Sequence, residues 1–326
     1  MNFDVVWHAV QGVLSLFILG SVGFLISKVG WVNIEAKILL NKLVLFVALP
    51  PYMLYNITNF MSKDTLLNLS YGLLVPAVSI GLTFIVSMLL SKILKISRER
   101  HGGFCCGFAL SNTIFIGLPV NLALFGESAV SYVLLYYFAN TTFSWTLGHY
   151  LIAASGSPQT VNGKIYKPEF FSRTTVKHVF SPPMLGLMLG LALLLLGLPL
   201  PDFVKDSARY LGFLTTPLAL IIIGVNLQKT DISKIRVSRD LVVVLLGRFV
   251  LSPLLVVTIC RFVPLPELMR KVFIVQASLP AMMNLALLCS FYKSDEAFGT
   301  LTVSVSTLLS IVTIPVLMFL SGMGLL

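Results

Sequence analysis

Long apolar blocks alternate with short polar connectors along the whole chain. The blocks fall near residues 5–27, 36–57, 66–91, 102–125, 129–153, 178–198, 203–228, 239–263, 271–292 and 296–321. Each has the roughly 20 residues a helix needs to cross about 30 Å of hydrocarbon. The pattern predicts an all-α polytopic membrane protein with ten transmembrane helices. The first block follows Asp4 with no Lys or Arg before it and is longer than a secretory h-region, so it reads as a span rather than a signal peptide. The longest polar stretch, 155–177, separates a first set of five spans (1–154) from a second (178–326).

Composition sharpens this picture. Only 11% of the 326 residues are charged, and mean hydropathy is +0.93; a soluble domain carries about 25% charged residues. The net charge of +10 does not point to nucleic acid, because Lys and Arg sit in short clusters between the apolar blocks. Connectors after odd-numbered spans carry fifteen Lys and Arg, those on the opposite side six. That bias places both termini outside the cell membrane and the 155–177 linker in the cytoplasm. Cys105, Cys106, Cys260 and Cys289 lie in apolar blocks without CxxC spacing and read as buried thiols.

Five spans per set is an odd number, so the second set must enter the membrane inverted. Sequence echoes agree. Leu118-Pro119 precedes Asn121-Leu-Ala-Leu, and Leu279-Pro280 precedes Asn284-Leu-Ala-Leu, with the prolines 161 residues apart; Pro51 answers Pro217 at 166. Inverted repeats with interrupted helices at matching places mark transporters with a midplane site. Spans four and nine carry those central prolines, and a proline inside a helix costs about 3 kcal/mol or more. In lipid the freed backbone groups need partners, and Ser111, Asn112, Thr113, Asn121, Gln276, Ser278 and Asn284 stand nearby. Two readings follow: broken helices whose N-termini seat a carboxylate, or kinks packed with polar residues.

Other polar positions carry paired readings as well. Arg248, near mid-span, either attracts an anion or bonds the carbonyls of a broken helix. Asn140, Thr141 and Thr142 either line a cavity or tie neighbouring helices together. Lys42 reads as snorkelling, Asn226 as a helix-end cap, and His8, His149 and His178 as interfacial, with Trp7 and Trp31 as interfacial anchors. Gly186 and Gly190 form a GxxxG suited to helix packing, with a homodimer contact as the alternative. All thirteen Asp and Glu fall in connectors or at span ends, and no HExxH, DDxxD or GxSxG motif occurs. An intramembrane enzyme is therefore not expected, and neither is a metal or other cofactor.

SNTIFIGLPVNLALFG, GFLTTPLALIIIGVNL, GRFVLSPLLV and QASLPAMMNLALLCSFYKSDEAFG together resemble the auxin efflux carrier family, in particular its prokaryotic malate- and malonate-permease-like members. The resemblance implies an inverted five-plus-five repeat whose broken helices 4 and 9 cross at Pro119 and Pro280. It also implies a scaffold domain (helices 1, 2, 6, 7) and a transport domain (helices 3–5, 8–10) that works by elevator-type alternating access. The implied substrate is a small organic anion such as malate, malonate or an auxin-like carboxylate. The family's Asn-Thr pair falls on Asn112 and Thr113, beside the substrate carboxylate. With Ser111, Pro119, Asn121, Asn140, Gln276, Pro280, Asn284 and Arg248 these make up the expected substrate site. A sodium-coupled carrier of the bile-acid type is the alternative function.

Overall fold

In a computed structural model of the chain, residues 18–60, 63, 71–156, 160–161, 164–165, 182–229 and 237–322 are described. The expectations for Trp7, His8 and His178, and for most of the linker, lie outside them. Two short linker pieces, Thr160–Val161 and Lys164–Ile165, pair as an antiparallel hairpin.

The rest is helical. The elements are α1 (Ile18–Lys28), α2 (Ile34–Lys42, Leu43–Ala48 and Leu49–Phe60), α3 (Leu74–Ile93), α4a (Arg98–Ala109) and α4b (Gly117–Phe125). They continue as α5 (Val130–Phe143, Ser144–Gly148 and His149–Ser155), α6 (Pro182–Leu196) and α7 (Asp202–Phe213 and Thr215–Lys229). The last are α8 (Arg239–Leu246, Gly247–Leu251 and Ser252–Ile259), α9a (Glu267–Ala277), α9b (Leu285–Phe291) and α10 (Glu296–Gly322). Among the described residues, five of these helices are long and apolar enough to cross a membrane: Glu35–Asn59, Leu74–Ile93, Asp202–Gln228, Arg239–Ile259 and Glu296–Ile314.

Local chemistry sets the helix ends and bends. Asn33 Oδ1 accepts the Ala36 N–H at 2.7 Å to start α2, and Ser238 Oγ accepts the Leu241 N–H at 3.2 Å to start α8. Pro50, Pro51 and Pro253 each lack an N–H, and a wider π turn (Leu43–Ala48 or Gly247–Leu251) lies just ahead of them. The wider turn relieves the clash between each proline ring and the carbonyl four residues back.

Helices α2, α6 and α7 pack together with α1 against α7, where Gly23 and Gly224 allow close approach, and α3, α4a, α5, α8, α9a and α10 form a second group. The GxxxG belongs to the first group: a Cβ on Gly186 would meet Pro50 O at 2.2 Å, and one on Gly190 would meet Ile57 Cβ at 2.9 Å. Its glycines are used within the chain, letting α6 lie against α2. Pro51 and Pro217 each fall third in a helical segment, so that echo keeps its place relative to the segment start, after a π turn in α2 and after the turn at Leu214 in α7.

The Leu-Pro echo does not. Pro119 is the third residue of α4b, in a first turn where a missing N–H costs nothing. The interruption lies upstream of it, between Ala109 and Gly117, whereas Pro280 sits inside the interruption between Ala277 and Leu285. The expectation that Pro119 breaks span four is corrected accordingly. The polar Ser111-Asn112-Thr113 run unwinds, and the non-helical backbone around Pro280 pairs with it.

Candidate functional site

Where the two interrupted segments meet, their backbones close a small joint. Ser111 and Ala281 form an antiparallel bridge, with the Asn112 N–H donating to Pro280 O at 2.9 Å and the Met282 N–H to Leu110 O at 3.1 Å. Side chains complete the accounting that a buried backbone demands. Asn140 Oδ1 accepts the Ser111 N–H and its Nδ2 donates to Ser111 O, both at 3.1 Å. On the other strand Ser306 Oγ accepts the Ala281 N–H at 3.1 Å. Gln276 Nε2 donates to Thr113 O at 3.3 Å and so ties α9a to the break in α4. Gly117 leaves room for this bond, since a Cβ there would lie 2.5 Å from Gln276 Oε1.

Arg248 completes the joint. It is fully buried on the π turn of α8, donating from Nη2 to Ala277 O and to Ser252 Oγ (2.6 Å) and from Nη1 to Phe108 O at 3.5 Å. Ala277 ends α9a and Phe108 lies in the last turn of α4a. Each helix C-terminus carries about half a negative charge, so two converging ends offset one guanidinium without a carboxylate. Of its two readings, the carbonyl-bonding one is the arrangement observed.

Beside the joint a cleft of about 1530 Å³ runs from the first turns of α2, α4a and α10, at Lys37, Arg100 and Glu296, to the breaks. Asn112 and Asn284 line its inner part together with Phe115, Met283 and Trp145. Asn112 Oδ1 accepts the Phe115 N–H at 3.2 Å and its main-chain O accepts the Gly117 N–H at 3.0 Å. Its Nδ2, with no partner among the described residues, is left as a donor for the cleft. The opposite wall is α2 and α7: Ile38, Asn41, Lys42 and Leu45 from one, Ile223, Asn226 and Leu227 from the other. At the outer end Arg100 is already engaged, pairing with Asp240 at 2.7 Å and Asp295 at 2.9 Å and lying over the Phe298 ring at 4.7 Å.

The structure thus divides the expected residues. Asn112 and Asn284 reach the cleft. Ser111, Asn140, Gln276 and Arg248 are buried in the joint, with Thr113 and Pro280 offering it their main-chain oxygens. Asn121, also fully buried, donates to Gly117 O at 2.7 Å within its own helix. Three further positions gain a setting. Asn226, in the last described turn of α7, lines the cleft and donates to Met283 Sδ at 3.8 Å. His149 is 4% exposed and hydrogen-bonded to the Tyr292 hydroxyl. Lys42 faces the cleft. The i, i+4, i+5 spacing of Lys37, Asn41 and Lys42 on an otherwise apolar helix was the available signal for that wall.

Comparison with known proteins places this architecture. An uncharacterized transporter of Methanocaldococcus jannaschii is 25% identical over 307 residues, 93% of this chain and 95% of that protein. Another, from Methanothermobacter thermautotrophicus, is 25% identical over 94% of this chain and 96% of its own length. A protein of Rhizobium meliloti named as a candidate malonate transporter is 24% identical over 318 residues, 96% of this chain and 95% of its own. The model of the membrane transport protein family matches residues 8–318. With several apolar helices and that match over nearly its whole length, the chain belongs to the membrane transport protein family, the auxin efflux carrier family of its sequence resemblance, and is a multi-pass membrane transporter.

Proposed function

We propose that this transporter carries small carboxylates, malonate and malate among them, and holds the carboxylate at Asn112 and Asn284. The observation that carries the reading is the cleft itself. It ends on two amides at the two breaks, and Asn112 presents a free donor there rather than a free acceptor. Phe115 and Met283 beside them suit a short carbon skeleton. The name of the Rhizobium meliloti relative supports the same substrate class.

The proposed frame is a ten-span inverted repeat with both termini outside and the broken helices crossing at the Ser111–Ala281 bridge. In it, α1, α2, α6 and α7 form a scaffold, and the remaining helices move as one body, elevator-fashion. The contacts favour sliding between two such groups. Described polar ties across them are few: Tyr52 donates to Glu127 at 3.2 Å, and Asn226 meets Met283. The cleft lies on that seam and, by the charge bias of the connectors, opens to the cytoplasm.

Sodium coupling of the bile-acid-carrier type is the second reading. Asn121 Oδ1 and Gln276 Oε1 are buried acceptors without a described partner, and both side chains adjoin Gly117. Arg248 stands close by, bonded to the neighbouring Ala277 O, and its positive charge opposes a cation there. Thermal unfolding of the purified protein with millimolar carboxylates tests the main reading, because a ligand bound only by the folded state raises the melting temperature. Malonate or malate is expected to shift wild type and not Asn112→Ala. An undiminished shift in that variant would remove Asn112 from the site.

A further inference from the structure

The geometry points to Lys42 as the residue that makes this cleft select dianions over monoanions; this rests on the carboxylate reading of Asn112 and Asn284. The cleft contains five charged side chains: Lys37, Lys42, Arg100, Asp295 and Glu296. Arg100 pairs with both Asp295 and Asp240. Glu296 opens α10, where the positive end of the helix dipole accommodates it. Lys37 stands at the outer end, one turn before Asn41, whose Nδ2 donates to Lys37 O at 3.0 Å. Lys42 is the innermost cation and has no ion pair among the described residues.

Its position fits a second anchor. Lys37 and Arg100, both within the first turn of their helices, line the outer end of the cleft and mark a common level. At 1.5 Å per residue Lys42 stands about 8 Å inward of that level, and Asn112 roughly 10 Å further. An extended lysine stem and a short molecule with a carboxylate at each end together fill such a gap. One carboxylate meets the amides of Asn112 and Asn284; the other meets the ammonium of Lys42, with Asn41 and Asn226 as neutral donors on the same wall. A monoanion leaves one end of this arrangement unsatisfied. Specificity arises where a site's polar groups are left unpaired by the wrong ligand. Lys42 also lies on α2 while Asn112 lies in the break between α4a and α4b, so a dianion would bridge the two helix groups and a monoanion would not.

The test compares malonate with its monomethyl ester, the same skeleton with one charge removed, by equilibrium binding to the detergent-purified full chain. Wild type is expected to prefer malonate at least about tenfold. Lys42→Gln is expected to bring the two affinities within about twofold, chiefly by losing malonate, and Lys42→Arg to keep the preference. A preference that survives Lys42→Gln, or one absent from wild type, overturns the inference while leaving the carboxylate site intact. A wild-type protein that binds neither compound overturns the carboxylate reading itself.

Discussion

The joint and the cleft lie side by side and are built from the same residue types, yet they do opposite things with them. At the joint, Asn140, Gln276 and Arg248 turn donors onto main-chain oxygens, while Gln276 Oε1, Arg248 Nε and Ser111 Oγ are buried without a described partner. In the cleft, Asn112 spends its oxygen on the Phe115 N–H and keeps its NH2 outward, Asn284 is exposed, and Lys42 has no described ion pair. A polar side chain in an apolar helix is therefore not by itself a site. What separates the two regions is whether the donors are turned onto main-chain oxygens or onto open space.

Breaking the joint is expected to have the largest effect. Arg248→Met orphans the carbonyls of Phe108 and Ala277 together, each at about 1–3 kcal/mol, and should leave too little folded protein to purify as a monodisperse peak. Arg248→Lys, one ammonium in place of a fork, should recover it only in part. Asn140→Ala opens both bonds to Ser111 and is expected to lower stability by about 1–3 kcal/mol, read as a drop in melting temperature with carboxylate binding retained. In the cleft the pattern reverses. Asn112→Ala should abolish the ligand-induced shift while the unliganded melting temperature moves by no more than about 2 °C.

The smallest effect concerns the seam. Burial raises the Glu127 pKa above its ordinary 4.5, and the Tyr52 hydrogen bond only partly opposes this. The folded state therefore holds that proton more tightly than the unfolded chain. Its contribution is present at pH below the ordinary carboxylate value and is lost as pH rises through the raised one. Glu127→Gln should remove that part of the decline, flattening the melting temperature on the acid side of neutrality, with substrate preference unchanged.

Much of the frame was legible in the sequence. Apolar block length gave the helices to within a few residues, because hydrophobic periodicity acts locally. The location of the break in span four was not legible. Pro119 is the stronger local signal, but the break follows from a tertiary pairing, Ser111 with Ala281, that no single segment encodes. The same limit governs the site. Asn112 and Asn140 both read as polar residues in spans, and only the fold shows one facing the cleft and the other clamping a backbone. That His149 is buried and Asn226 lines the cleft was likewise not legible, because burial depends on which face the neighbours cover.

The division between joint and cleft is tested most directly by thiol accessibility. All four native cysteines are buried and unpaired, so a cysteine-free background can carry Asn284→Cys or Gln276→Cys. With a membrane-impermeant thiol reagent and the protein in vesicles, Asn284→Cys is expected to react from one side only and to be slowed by malonate, while Gln276→Cys stays unmodified. Equal labelling at the two positions, or labelling of Asn284→Cys that malonate leaves untouched, would contradict the account.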